Sequence, residues 1–303
     1  MRRPLDGINV ALVTPFDERE RVDEDALAAL VGDQIGHGVH GLVVNGSTGE
    51  FASLTPEERR RNVEIVAEAA AGRAPVIVQV GAMTTREAVA HAEHAASRGA
   101  VAVMLVCPWY EALNEDEIEG YVRAVGAVGP PIMLYNNPAA TGWSMRPEFI
   151  ARLVESVERI EYMKDTTGNA GRLFRIKELC GDRVELLNGQ DTLALLGFLA
   201  GTRGAVWGAP NATPRACVEL WRLTVERLDL PAALDLWSAF YPVNRFFEDE
   251  GYVAAVKAGA RLRGVKSGNT RRPILPLAPE RVEALAPLLE RLDAALQTRA
   301  APV

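Results

Sequence analysis

The chain has 303 residues, 48% hydrophobic and 24% charged, with a formal net charge of -7. That length and apolar share suffice for a large core and exclude a disordered chain. The acidic balance excludes a nucleic-acid binder, because the only short basic clusters, Arg59-Arg60-Arg61 and Arg271-Arg272, are diluted by acids and prolines.

The elements follow one another in a regular order. Residues 8–13 form the first β-rich run, closed by Thr14-Pro15, and residues 23–37 a helix whose acidic start suits the positive end of the helix dipole. A second strand, 41–44, runs into the turn-forming Asn45-Gly46-Ser47-Thr48-Gly49-Glu50. The next helix opens with Thr55 as N-cap, Pro56 in the first helical position and Glu58 as the capping-box acid. Strands at 76–80, 101–106, 132–135, 160–164, 184–188 and 205–207 then alternate with helices at 84–98, 114–128, 146–155, 170–180 and 192–200.

Eight strands alternating with helix-length segments predict an α/β fold, a (β/α)8 TIM barrel, with parallel pairing through right-handed crossovers. The rival, a doubly wound open sheet, would carry G-x-G-x-x-G after its first strand, and residues 8–17 have no such motif. Beyond residue 228 the strand signals stop. Helices are expected at 230–248, 251–263 and 278–298, with a connector at 268–276 and fraying in the final Ala-rich residues. The predicted organisation is a barrel over 1–228 carrying the active site and a C-terminal helical extension over 229–303.

Cys107, Cys180 and Cys217 are odd in number and far apart, which fits neither a disulfide framework nor a zinc pattern and suits a reducing compartment. The start Met1-Arg2-Arg3-Pro4 is basic but is followed by no apolar h-region, and no apolar run approaches the roughly 18 residues of a membrane span. A cytoplasmic enzyme without membrane contact is expected. His91 and His94 sit three apart on one helix, but no third ligand has a metal-binding spacing. The glycine-flanked segment 200–204 precedes the eighth strand and so belongs to the stability face, and Trp221, Trp237, Phe240, Tyr241, Phe246 and Phe247 read as core or subunit contacts.

In a (β/α)8 barrel the chemistry lies at the C-terminal strand ends. Ser47, Thr48, Tyr110, Tyr135, Lys164, Gln190 and Asp191 fall there. Lys164 ends the run Ile160-Glu161-Tyr162-Met163-Lys164 and by period two shares a face with Ile160 and Tyr162. An amine at the inner rim of an apolar barrel loses solvation, which favours the uncharged, nucleophilic form that builds Schiff bases with ketones. The alternatives are snorkelling to the surface or pairing with Asp165. Tyr135 ends the neighbouring strand, where a phenol could pass protons at the substrate oxygen; its alternative is core packing with a satisfied hydroxyl. Gly46-Ser47-Thr48-Gly49 offers backbone N–H groups and two hydroxyls to a carboxylate, or is a plain turn.

Together these residues resemble the dihydrodipicolinate synthase/N-acetylneuraminate lyase family of class I aldolases. The resemblance runs along the whole chain. It is carried by Leu12-Val13-Thr14-Pro15-Phe16, Gly46-Ser47-Thr48-Gly49-Glu50, Pro108-Trp109-Tyr110, Tyr135-Asn136-Asn137-Pro138 with Thr141-Gly142, and Lys164-Asp165-Thr166-Thr167-Gly168. It implies that Lys164 forms a Schiff base with pyruvate or another 2-oxo acid, that Tyr135 relays protons with Ser47, and that Ser47 and Thr48 bind the carboxylate. It implies further that Tyr110 reaches a neighbouring subunit's site in a homotetramer of tight dimers, and that the Val206 backbone carbonyl faces the keto acid. The protonated imine would serve as electron sink, with no metal or organic cofactor.

The departures bear on the second substrate. Family members that condense aspartate semialdehyde carry an arginine in the segment after the tyrosine, where this chain has Ala140, and the loss of a bidentate donor fork points away from that substrate. Sialate lyases carry an acid after Gly-x-Asp and a hydroxyl in the eighth-strand loop, where this chain has Thr192 and Gly208. The expectation is therefore a Schiff-base lyase acting on pyruvate or a 2-keto-3-deoxy sugar acid, by aldol cleavage, condensation or dehydration, or on a cyclic imine from hydroxyproline breakdown. Asn137, Gln190 and Asn211 are the polar candidates for reading that substrate, together with Gly46 and Thr141; each of the first three could equally be a turn residue. The alternatives are a 4-hydroxy-tetrahydrodipicolinate synthase and a non-catalytic 2-oxo-acid sensor.

Overall fold

The computed structural model describes residues 4–300. The basic Met1-Arg2-Arg3 and residues 301–303, part of the segment expected to fray, lie outside the described residues. Strands β1 (Gly7–Ala11), β2 (Gly41–Val44), β3 (Val76–Gln79), β4 (Ala102–Val106), β5 (Ile132–Asn136), β6 (Ile160–Asp165), β7 (Glu185–Asn188) and β8 (Gly204–Trp207) are parallel and close in chain order, β8 returning to β1. The barrel predicted from the strand–helix alternation is present.

Helices α1 (Glu24–Gly36), α2 (Pro56–Ala70), α3 (Thr85–Ser97), α4 (Glu115–Gly126), α5 (Pro138–Thr141), α6 (Pro147–Ser156), α7 (Ala170–Cys180), α8 (Ala194–Leu199) and α9 (Pro214–Trp221) accompany the strands. Helices α10 (Leu230–Asp249), α11 (Tyr252–Leu262) and α12 (Pro279–Ala300) follow. The predicted capping box at Thr55 and Glu58 forms in both directions. None of the described helices is long and apolar enough to cross a membrane.

Period-two alternation sorts the strand residues into two cores. Val43, Met104, Leu187 and Val206 fill the barrel interior, while Leu42, Val103, Leu186 and Ala205 meet the surrounding helices. Each fully buried Leu or Val contributes about 1.5–3 kcal/mol, so the two layers hold the strand ends rigid beneath the site.

Four details depart from the sequence reading. Ile160 does not share a face with Tyr162: the β5–β6 register steps from Ile132↔Ile160 to Met133↔Tyr162, which leaves Glu161 as a bulge. Ile160 therefore joins the outer core and Tyr162 the inner one. β1 ends at Ala11 because the Val13 N–H leaves the ladder and donates to the Asn211 side chain at 3.1 Å. The expected helix over 192–200 splits into a 3-10 turn, Asp191–Leu193, and the short α8. There the Thr192 N–H and hydroxyl donate to Glu248 at 3.0 and 2.6 Å, a long-range contact that composition does not announce. Helices α5 and α9 had no separate signal beyond Pro in their first turns.

Candidate active site

Strand β5 ends in Tyr135-Asn136 and β6 in Lys164-Asp165, and the register sets Tyr135 beside Lys164 and Asn136 beside Asp165. Lys164 is 6% exposed, and its Nζ lies 4.1 Å from the centroid of the Tyr135 ring. The lysine therefore does not snorkel to the surface. Nor is Asp165 its partner: one carboxylate oxygen accepts from Asn136 Nδ2 at 3.0 Å and Arg172 Nε at 2.8 Å, the other from the N–H and hydroxyl of Thr167. That buried network fixes the strand end and leaves the amine free to face the cavity.

The phenol of Tyr135 accepts a hydrogen bond from Asn137 Nδ2 at 2.8 Å. Burial alone would raise its pKa; the charge of Lys164 and hydrogen bonding with Ser47 outweigh burial and hold the phenol below its ordinary value. Ser47 and Thr48 come from the turn after β2. Its backbone folds back through Gly49 N–H to Gly46 O at 3.0 Å and Glu50 N–H to Ser47 O at 3.1 Å. Asn45 and Glu50 flank it in left-handed conformations, with φ of 58° and 57°.

A cavity of about 300 Å³ joins these groups. Ser47, Thr48, Tyr135, Asn137, Lys164, Gln190, Asp191 and Val206, eight of the sequence candidates, line it. Gly46 does not, because its carbonyl closes the turn and its Cα faces Met104. Nor does Thr141, whose hydroxyl is engaged with Asn137 O and Trp143 O; it lines a neighbouring hollow with Ser47, Ala140 and Trp109. Asn211 is a bracket for β1 and β8: its amide donates to Ala11 O and Gly208 O at 2.8 and 2.7 Å. Tyr110 is 83% exposed, away from this chain's own cavity. His91 is buried and His94 faces Glu64 at 3.4 Å; among the described residues no His, Cys, Asp and Glu group could hold a metal ion.

Thr166 lines the cavity beside Tyr135, and around Asp191 the far wall is completed by residues outside the sequence candidates: Gly208 of the barrel, and Glu248, Tyr252 and Val253 of the extension. The Tyr252 hydroxyl donates to Asp191 Oδ2 at 2.6 Å and accepts from the Gly208 N–H at 2.8 Å. A Cβ on Gly208 would stand 2.8 Å from the Tyr252 hydroxyl oxygen and Thr48 Cγ2, so glycine at this position makes room for the tyrosine. Burial, reinforced by the negative charge of Glu248, pushes the Asp191 carboxyl up to about 7 against the opposing Tyr252 hydrogen bond, Ala209 N–H and Lys164 charge. A signal for Glu248 did exist: it is an acid immediately after the buried Phe246-Phe247 pair.

A buried amine beside a proton-sharing phenol, at adjacent strand ends of a closed barrel, defines a class I lyase of the aldolase type, an enzyme that works through a lysine Schiff base. The model of the dihydrodipicolinate synthetase family matches residues 4–292, and the chain belongs to that family. It is 35% identical over 295 residues to a 4-hydroxy-tetrahydrodipicolinate synthase of Bartonella bacilliformis, covering 97% of each chain. Among solved structures it is similar to the 4-hydroxy-tetrahydrodipicolinate synthase of Methylacidiphilum fumariolicum SolV, at TM-score 0.92 and 29% identity over 97% of this chain and 98% of that one. It is also similar to a prophage protein of the dihydrodipicolinic acid synthase family from E. coli K12, solved with pyruvate, at TM-score 0.90 and 28% identity over 95% and 98%.

Proposed function

We propose that the enzyme acts on a 2-keto-3-deoxy sugar acid, holding the 2-oxo acid end through Lys164 and reading a hydroxylated chain with the far wall. In this reading the Lys164 amine attacks the keto carbon. Tyr135, with Ser47 beside it, carries the proton to the departing hydroxyl, and water leaves as the iminium forms. The iminium takes up the electron pair of the adjacent carbon, as that carbon loses either a proton or its bond to the next carbon. Cleavage of that bond, with the hydroxyl proton of the departing carbon passing to Tyr135, releases an aldehyde and leaves the enamine of pyruvate; loss of a proton followed by loss of the next hydroxyl as water gives dehydration, and in either case protonation and hydrolysis of the enamine free the product and Lys164. The Ser47 and Thr48 hydroxyls bind the carboxylate, and the Val206 carbonyl faces the keto acid.

One observation carries the choice of substrate. Among the described residues, Lys164 is the only cationic side chain lining the cavity, whose far wall contributes the acids Asp191 and Glu248 with the phenol of Tyr252. Both acids can accept hydrogen bonds from hydroxyl groups, and the negative charge of Glu248 disfavours a second carboxylate. The position where relatives are expected to carry an arginine is Ala140. The experiment is a panel of 2-keto-3-deoxy acids scored for released pyruvate or for dehydration. Turnover of at least one neutral-chain member supports the reading, and turnover of aspartate semialdehyde with pyruvate alone overturns it.

That last outcome is the second reading, synthesis of 4-hydroxy-tetrahydrodipicolinate, favoured by the names of relatives about as similar as the Bartonella protein. The reading extends to assembly and compartment. Exposed Tyr110 suits a residue that completes a neighbouring subunit's site in a homotetramer of tight dimers. Three unpaired cysteines suit the cytoplasm.

A further inference from the structure

We propose that Lys257 of α11 and Glu50 form a buried clamp that positions the Ser47-Thr48 turn, making the C-terminal extension a determinant of 2-oxo acid binding. The inference rests on the proposed role of that turn as the carboxylate site. Both side chains of the clamp are 0% exposed, with Lys257 Nζ 2.6 Å from Glu50 Oε1. The other carboxylate oxygen accepts the Arg271 N–H at 2.9 Å. Lys257 also donates to Asn269 O at 2.8 Å and sits 4.4 Å from the centre of the Phe16 ring. Arg271 covers the same ring at 4.3 Å and is tied to Glu58, Ser53 O and Glu20 O.

The clamp is expensive to bury. Burial pushes the Lys257 ammonium down to about 8 even with Glu50 beside it. An apolar pair would fill this space without that desolvation cost, so the ions serve orientation. Glu50 is where such a device acts on the turn. It is a non-glycine residue held at φ 57°, its N–H donates to the Ser47 carbonyl, and it follows Thr48 by two positions. A left-handed residue of this kind persists only when its surroundings over-determine it. On the other side of the turn, Thr14 Oγ1 donates to Gly49 O at 2.7 Å. Releasing the carboxylate lets the turn relax and disorders the hydroxyls aimed at the substrate carboxylate, while Lys164 and Tyr135, on other strands, keep their places.

Borohydride trapping of the imine measures this without any second substrate. The half-saturating ketone concentration is read by intact mass for pyruvate and for acetone, a ketone with no carboxylate. Lys257→Met removes the charge. Lys257→Met with Glu50→Gln removes both charges yet keeps an acceptor for the Arg271 N–H, and it guards against a single variant that fails to fold. In the double variant the urea midpoint is expected to stay near the wild-type value. Its half-saturation for pyruvate should rise roughly tenfold, the loss of about one oriented charge-assisted hydrogen bond, with that for acetone unmoved. A folded double variant with unshifted pyruvate half-saturation overturns the clamp alone, as does an equal shift for both ketones. A wild-type protein that pyruvate never labels overturns the Schiff-base reading and the clamp with it.

Discussion

Lys164 and Tyr135 occupy neighbouring register positions at the ends of β6 and β5, the amine nitrogen 4.1 Å from the centre of the phenol ring. The charge that would stabilise a phenolate and the phenol that would relay a proton thus share one buried pocket. Replacing Tyr135 by Phe keeps the ring and removes the hydroxyl. Turnover should fall by about 10²–10⁴-fold, with the fold intact by circular dichroism. An unchanged rate removes the phenol from the chemistry.

The strand end that carries Lys164 depends on Asp165, which meets Arg172 Nε at 2.8 Å with side chains only 2% and 12% exposed. Asp165→Ala leaves a nearly buried guanidinium without its partner. The expected loss is about 3–5 kcal/mol, read as a lower urea midpoint. A loss no larger than that of an exposed pair, such as Arg60 with Glu57, would mean that the network is decorative.

Asp191 links pH to stability. Its carboxyl is raised from 3.8 to about 7 in the folded protein. Between those values the folded chain holds a proton that the unfolded chain has released, so rising pH favours unfolding. Relative to Asp191→Asn, the wild-type protein should lose stability from about pH 4 to about pH 7 and stay level above that. Urea titrations of both proteins across this range check the sign. A wild-type protein that gains stability over the Asn variant as pH rises would contradict it.

Gly208 tests the far wall. A methyl group there meets Tyr252 and Thr48 at 2.8 Å. Gly208→Ala should cost about 1–3 kcal/mol through overpacking and weaken substrate binding as Tyr252 is driven off Asp191. Unaltered stability and KM would show that the wall has slack.

The barrel was legible because eight strand–helix alternations and a capping box at Thr55 speak locally, and Lys164 and Tyr135 were legible because both end strands. What was missed is long-range. Glu248 and Tyr252 reach the cavity from α10 and α11, more than fifty positions beyond Thr192 and Asp191, and the one local mark, an acid after Phe246-Phe247, does not say which strand end it meets. Asn211 illustrates the converse: its polar side chain suggested a substrate contact, yet the amide is spent on the Val13, Ala11 and Gly208 backbone. The bulge at Glu161 was equally silent, because alternation alone assigns faces only where pairing is regular.

The central claim is that the Lys164 nitrogen captures a ketone. Incubation with pyruvate and borohydride followed by peptide mapping tests it most directly. The account predicts one reduced adduct, on Lys164, absent from Lys164→Ala. An adduct on any other residue, or none at saturating pyruvate, would contradict it.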